Sequence, residues 1–239
     1  MPKKEHIRQM FDSIASDYDR LNHLMSLHID KTWRKKALQA IFPADDRTNL
    51  HILDLACGTG DFAIAMARKI RRDGLGGHVT GVDLSEGMLN VMQEKIARED
   101  LQSLVTVRQG DGENLPLGSG VFDRVTIAFG IRNFEDREKG LKEMLRVLRP
   151  GGSVVILELS VPENGFIRWC YNLYFLHILP LIGGSVSGDK AAYEYLPESV
   201  IHFPKHKAFL ETMRAAGFTR VRHKAFTFGI CRMFTGVKA

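Results

Sequence analysis

The run Leu53-Asp54-Leu55-Ala56-Cys57-Gly58-Thr59-Gly60-Asp61 combines residue types that can hold a small ligand through the backbone and through charge. Gly58 and Gly60 let the chain turn sharply and approach a ligand with no Cβ in the way. Thr59 between them adds a hydroxyl. Two further acids stand in comparable settings: Asp83 in Thr80-Gly81-Val82-Asp83-Leu84-Ser85, and Asp111 in Gly110-Asp111-Gly112-Glu113-Asn114-Leu115-Pro116. A carboxylate at Asp83, with Leu84 beside it, can accept hydrogen bonds from both hydroxyls of a ribose. Asp111 can accept from an adenine amino group while the Gly112 amide meets the ring. Taken singly, Asp83 can equally cap the helix after Ser85, and Asp111 a short helix of its own.

The glycines alone leave the ligand open. Residues 58–63 also satisfy the dinucleotide pattern G-x-G-x-x-A, and Asp83 lies about where that pattern wants its ribose-binding acid. Charge separates the readings. A dinucleotide sets an anionic pyrophosphate on the helix N-terminus, but here Asp61 occupies that first turn and Asp54 ends the strand beneath it. Like charges ~4 Å apart repel by ~1 kcal/mol in water and by severalfold more in a partly buried cleft. S-adenosylmethionine carries a sulfonium and an α-ammonium and no phosphate, so the acids favour it over a nicotinamide dinucleotide. An oxidoreductase is thus the weaker enzyme reading. A non-catalytic subunit that binds S-adenosylmethionine is the reading from another class.

These residues need a scaffold that gathers strand ends. Short apolar runs at 51–56, 78–83, 104–108, 121–129 and 153–159 read as strands, and amphipathic stretches at 61–72, 86–98 and 136–148 as helices. Such alternation implies right-handed crossovers and a mostly parallel sheet with helices on both faces, an α/β Rossmann-like fold whose ligands bind outside the carboxyl ends of the strands. A helix at 204–216 and strands at 220–227 and 230–237 around Phe228-Gly229 complete a seven-stranded sheet with an antiparallel last strand. The reading is one domain over 1–239. It has a helical extension at 1–43, marked by Ile7, Met10, Phe11 and Ile14 and closed by Pro43, and an inserted cap at 162–204.

Composition agrees with a soluble or peripheral enzyme. The 239 residues are 44% hydrophobic, enough for a sizeable core, and carry a net charge of +5 from cations mixed with acids, a solvated-face pattern that points away from nucleic acid. Cys57, Cys170 and Cys231 are far apart and match neither a zinc site nor a disulfide framework, so no metal is expected. A charged start and no apolar run near the ~20 residues of a membrane span point to the cytoplasm. The sequence carries no signal for an oligomeric state.

The runs D-L-A-C-G-T-G-D, G-V-D-L-S, Q-G-D-G-E-N-L-P, F-D-R-V-T-I-A-F-G-I-R-N and L-R-P-G-G resemble class I methyltransferases, and more narrowly the ubiquinone/menaquinone biosynthesis C-methyltransferase family. Met10 to Ala15 with Tyr18, Asp19 and Asn22, and Tyr195 to Ser199 with Phe203-Pro204, carry the narrower likeness. It covers nearly the whole chain, and Phe129 to Asn133 is its most specific part. The resemblance implies cofactor contacts at Thr59, Asp83, Asp111 and Gly112. Family members often have Ser where this chain has Ala128, so one side-chain contact is lost or replaced. It also implies a prenylated quinol as substrate, demethylmenaquinol first and a ubiquinol precursor second.

Methyl transfer from a sulfonium is an in-line displacement, so the protein mainly aligns the nucleophilic carbon. A quinol carbon becomes nucleophilic when the neighbouring hydroxyl, with a free pKa of ~10, ionises, and a cation or hydrogen-bond donor favours that form. Arg132 and Asn133 are placed for this, with Tyr18 and Asp19 expected to close over the substrate and orient its hydroxyls. A surface bridge from Arg132 to Glu135 or Asp136, and a packed Tyr18, are the plainer alternatives. Arginine is a poor base, so a water polarised by Arg132 is expected to take the proton. The aromatic run at 166–176, with 179–182, is expected to wall an apolar tunnel for the isoprenoid tail and to touch the membrane surface, a plain buried helix being the rival. Lys35, Lys36, Arg71 and Arg72 are candidates for anionic lipid, with ordinary solvation the simpler reading.

Overall fold

Burial follows the strand runs closely. In β1 (Leu50–Leu55) every residue but His51 is buried, and in β4 (Phe122–Ala128) so are Phe122, Arg124, Val125, Thr126 and Ile127, as expected of strands covered on both faces. The protein is described here by a computed structural model covering residues 3–26, 28–43, 49–174 and 190–239. Among these, β1, β2 (Gly77–Asp83), β3 (Val105–Gln109), β4, β5 (Leu148–Leu159), β6 (Thr219–Phe226) and β7 (Cys231–Val237) form one sheet in the order β3-β2-β1-β4-β5-β7-β6. The pairs among β1 to β5 are parallel, and β7 runs antiparallel to both of its neighbours. The reversal is made by the turn Thr227–Gly229, where Thr227, Phe228 and Gly229 all have positive φ.

Helices α4 (Asp61–Arg72), α5 (Glu86–Arg98) and α6 (Arg137–Val147) stand where the periodicity predicts, within a residue of the expected ends. Two of them start on side-chain caps: Ser85 accepts from the Met88 amide at 3.1 Å, and Asp136 from the Lys139 amide at 2.9 Å. Each cap satisfies an amide that the helix itself leaves open.

The extension is helical, in three pieces. It forms α1 (Lys4–Ile14), α2 (Tyr18–Met25) and α3 (Ile29–Ile41), with His28 in the left-handed region at φ 62° before α3. The division lets three short helices follow three surfaces. Trp33, Ala37 and Ile41 of α3, four residues apart, are buried in the core beside β5. Trp33 also donates its indole N–H to the Thr227 hydroxyl at 2.8 Å. In the cap, α7 (Gly165–Leu173), α8 (Lys190–Ile201) and, beyond it, α9 (His206–Ala215) are described. The expected tunnel residues at 175, 176 and 179–182 lie outside the described residues. The helix α7 is not plainly buried: Phe166 and Trp169 are 73% and 62% exposed, whereas Tyr171 is buried. No described helix is long and apolar enough to cross a membrane. Of the four cations considered for lipid, Lys36 sits over the Phe226 ring, Arg71 donates to the Glu99 carbonyl and Arg72 pairs with Asp73.

Candidate active site

Because β1, β2 and β4 are parallel and in register, the segments that follow them emerge side by side. Their ends are tightly made: Ala56 and Phe129, neither a glycine, have φ of 49° and 61°. Non-glycine residues held in that region concentrate at binding sites. A Cβ on Gly130 would stand 2.6 Å from the Ala56 Cβ, so the glycine lets the two loops touch.

The crevice over these ends is lined by Gly58, Asp83, Leu84, Asp111, Gly112 and Asn133, among others. The Asp83 carboxylate accepts from the Gly58 amide at 2.8 Å and the Ser85 amide at 2.9 Å, which fixes its plane and leaves acceptor capacity on both oxygens. Burial raises its pKa, opposed by those amides. Asp111 accepts from the Glu113 amide at 2.9 Å and meets the Lys4 ammonium at 2.8 Å. Helix α1 thus crosses this crevice, and its Asp12 accepts from the Ser85 hydroxyl at 2.6 Å and the Gly87 amide at 3.0 Å.

Next to the crevice, a chamber of about 30 Å³ is lined by Asp54, Thr59, Asp61 and Arg34. Asp54 is 1% exposed and accepts from the Thr126 hydroxyl at 2.7 Å, while its Oδ2 has no hydrogen-bond partner among the described residues. Burial, countered in part by Thr126, pushes its carboxyl up to about 7. Asp61 meets Lys95 at 2.9 Å and Arg34 at 3.6 Å. The expectation of bare negative charge at Asp54 and Asp61 is therefore corrected: one shares a proton near neutral pH, and the other is compensated by cations from α5 and α3.

A second cavity, of about 310 Å³, lies on the other side of Tyr18 and Phe129 and is mostly apolar. Tyr18 lines the crevice, the chamber and this cavity. Its ring packs edge-on against Phe11 at 5.9 Å, and burial raises its phenol pKa, with Arg132 opposing. Arg132 lines the large cavity and is buried. It bonds Glu158 at 2.9 Å, Ser199 at 3.3 Å and the Phe129 carbonyl, not Glu135 or Asp136. Burial works against its charge, but Glu158, Tyr18 and Tyr195 together raise its pKa above the ordinary value, so the guanidinium stays charged. Asn133 faces the crevice and accepts from the Tyr195 hydroxyl at 2.9 Å.

A crevice that presents the carboxylates of Asp83 and Asp111 and a mostly apolar cavity share one aromatic wall, which suits a reaction between a ligand with polar groups and an apolar acceptor. The model of the ubiE/COQ5 methyltransferase family matches residues 1–238. The chain belongs to the ubiE/COQ5 methyltransferase family. It is similar to the demethylmenaquinone methyltransferase of Bacteroides fragilis, 41% identical over 99% of this chain and 94% of the relative. It is also similar to the ubiquinone/menaquinone biosynthesis C-methyltransferase UbiE of Geotalea daltonii, 44% identical over 99% and 97%. Among solved structures, a SAM dependent methyltransferase from Aquifex aeolicus shares the fold with a TM-score of 0.62, at 19% identity over 86% and 89% of the two chains.

In this ubiE/COQ5 chain not every candidate residue faces the ligand spaces. Asp19 turns away from both cavities, accepting the Thr59 hydroxyl and pairing with Lys95, so it latches α2 to the glycine loop and α5. That engages the Thr59 hydroxyl as well. Gly60 packs on Met92, where an added Cβ would come 2.4 Å from its Cγ. Sequence reasoning missed Lys4, Asp12, Asp30, Arg34 and Glu158. One signal was present: Tyr18, Asn22, Ser26, Asp30 and Arg34 recur every four residues and all line the apolar cavity. Spacing of four is ordinary on helices, so by itself it gives no hint that the stripe faces inward.

Proposed function

We propose that this chain transfers the methyl group of S-adenosylmethionine to a ring carbon of a prenylated quinol, demethylmenaquinol first and a benzoquinol precursor of ubiquinone second. The observation that carries the reading is the wall of Tyr18 and Phe129 common to the crevice and the apolar cavity. The donor set supports the cofactor: two buried or half-buried carboxylates at successive strand ends, and an unpartnered carboxylate oxygen on Asp54. When bound, S-adenosylmethionine supplies an electrophilic methyl carbon on a sulfonium.

Asp83 takes the ribose hydroxyls with Leu84 beside it, Asp111 and the Gly112 amide take the adenine, and Gly58 and Thr59 approach the methionyl part beside Asp54. Lys4 gives up Asp111 when the adenine amino group arrives. In the apolar cavity Tyr18 and Arg132 hold the quinol oxygen and favour its ionised form. Paired with Glu158, Arg132 acts through directed donors more than through net charge. The carbon–hydrogen proton leaves to a water held by Arg132. The exposed aromatic face of α7 supports contact with the membrane surface in which such a quinol resides, with the enzyme on its cytoplasmic side.

The test is incubation of purified protein with reduced demethylmenaquinone and methyl-labelled S-adenosylmethionine, followed by mass spectrometry of the quinones. Label is expected on the naphthoquinol ring. Unlabelled quinones of every class from a protein that binds the cofactor would refute the reading.

A further inference from the structure

Two residues that line the small chamber beside the glycine loop each carry a buried atom, of opposite character, that makes no hydrogen bond within normal distance among the described residues. One is Asp54 Oδ2, an acceptor; the other is Arg34 Nε, a donor. A buried donor without a partner is costly, and folds rarely leave one unless water, an ion or a ligand completes it. Both residues line the chamber together with Gly58 and Thr59, and Arg34 is the only cation among its lining residues.

Arg34 is held there from several sides. Its Nη1 pairs with the buried Asp30 one helical turn earlier and lies 3.6 Å from Asp61 at the start of α4. Its guanidinium carbon stands 5.4 Å over the Phe129 ring. Only 13% of the side chain is exposed. These contacts use one edge and one face of the guanidinium and leave the Nε donor, which is what a planar fork needs to grip a carboxylate.

An unpartnered carboxylate oxygen and an unpartnered guanidinium N–H in one chamber are the complement of an α-amino-acid zwitterion. We infer that Arg34 binds the α-carboxylate of the methionyl moiety of S-adenosylmethionine, opposite Asp54 and its ammonium. This rests on the proposal that S-adenosylmethionine is the cofactor. Because Arg34 also lines the apolar cavity and covers Phe129, the same contact ties the cofactor tail to the wall between the two ligand spaces.

Calorimetric binding of S-adenosylmethionine and of its decarboxylated form, which lacks only the carboxylate, tests this without reference to turnover. The unmodified protein is expected to bind the decarboxylated ligand about 10- to 100-fold more weakly, the range for a lost charge-assisted hydrogen bond. Arg34→Met is expected to weaken S-adenosylmethionine by a similar factor and to bind the two ligands equally. Since Arg34→Met removes the cation that pairs with the Asp30 carboxylate, the double variant Asp30→Asn with Arg34→Met removes both charges and keeps the comparison readable if the single variant fails to fold. Equal affinity of the unmodified protein for the two ligands overturns the inference, as does a variant that still discriminates between them. Failure of the unmodified protein to bind S-adenosylmethionine at all sinks the cofactor reading instead.

Discussion

The Arg132 guanidinium and the Glu158 carboxylate lie 2.9 Å apart with side chains only 6% and 0% exposed. Glu158 also accepts from the Arg132 amide at 3.1 Å and the Leu159 amide at 2.8 Å, so one carboxylate fixes both the backbone and the side chain of the Phe129 to Asn133 segment. Arg132 therefore has a structural duty besides any part in the reaction. Removing one partner of a buried pair strands the other's charge, at a cost of about 3–5 kcal/mol. Arg132→Ala is expected to lose stability of that order in urea titrations, as well as turnover. The double variant Arg132→Met with Glu158→Gln is expected to regain most of the stability and none of the turnover. Recovery of both would reduce Arg132 to a structural residue.

Tyr18 offers a cleaner separation. Burial raises its phenol pKa, so the hydroxyl keeps its proton at neutral pH and can donate a hydrogen bond. Tyr18→Phe keeps the ring against Phe11 and deletes that donor. Turnover is expected to fall by at least about 10-fold, the usual scale for one hydrogen bond to a developing charge, while the dissociation constant for S-adenosylmethionine stays within about 2-fold. Unchanged kcat would remove the hydroxyl from the reaction.

The raised pKa of Asp54 gives stability a defined pH dependence. Its carboxyl moves from an ordinary 3.8 to about 7 in the folded protein. Between those values the folded state binds a proton that the unfolded chain has lost, so this group's contribution declines as pH rises from about 4 to about 7 and is flat above. The total is on the order of 4 kcal/mol at ~1.4 kcal/mol per pH unit. Asp54→Asn is expected to flatten the curve. A cationic ligand favours the ionised form, so S-adenosylmethionine affinity is expected to rise over the upper part of the same window, with proton release on binding measurable in buffers of different ionisation enthalpy.

Asp19 joins α2 to the glycine loop and to α5 through Thr59 and Lys95. In Asp19→Asn the charge of that latch is gone while the strands are untouched. Hydrogen exchange is expected to quicken in α1 and α2 and to stay constant in β1 and β4. Uniform quickening would show that the latch supports the whole fold.

Much of the scaffold was legible because its residues obey local rules. Strands covered on both faces read as continuous apolar runs. Helices began at Asp61, Glu86 and beside Asp136, and glycines marked the sharp turns at 58 and 60. The antiparallel end was legible from the short turn at Phe228-Gly229. The acids Asp54, Asp83 and Asp111 were found because each ends or follows a strand, and that rule needs no knowledge of distant partners.

The helical character of the extension was legible but its division into three was not, since its apolar spacing is helical throughout and the breaks near residues 15–17 and 28 have no proline or glycine to mark them. Asp19 looked like a substrate residue because its neighbour Tyr18 is placed to be one. Successive helical residues point about 100° apart, and the fold turned the first toward the cavities and the second onto Thr59.

The sequence by itself determined the element order, the glycine turn and the acids at the strand ends, because backbone geometry and apolar periodicity act over a few residues. Only the tertiary structure decided how Asp54 and the neighbouring Asp61 are partnered, since Thr126 reaches Asp54 and Lys95 and Arg34 reach Asp61 from other elements. It also decided that a stripe of polar residues on α2 and α3 faces an apolar cavity. Charge and solvation depend on neighbours in space, and the chain must close before those neighbours exist.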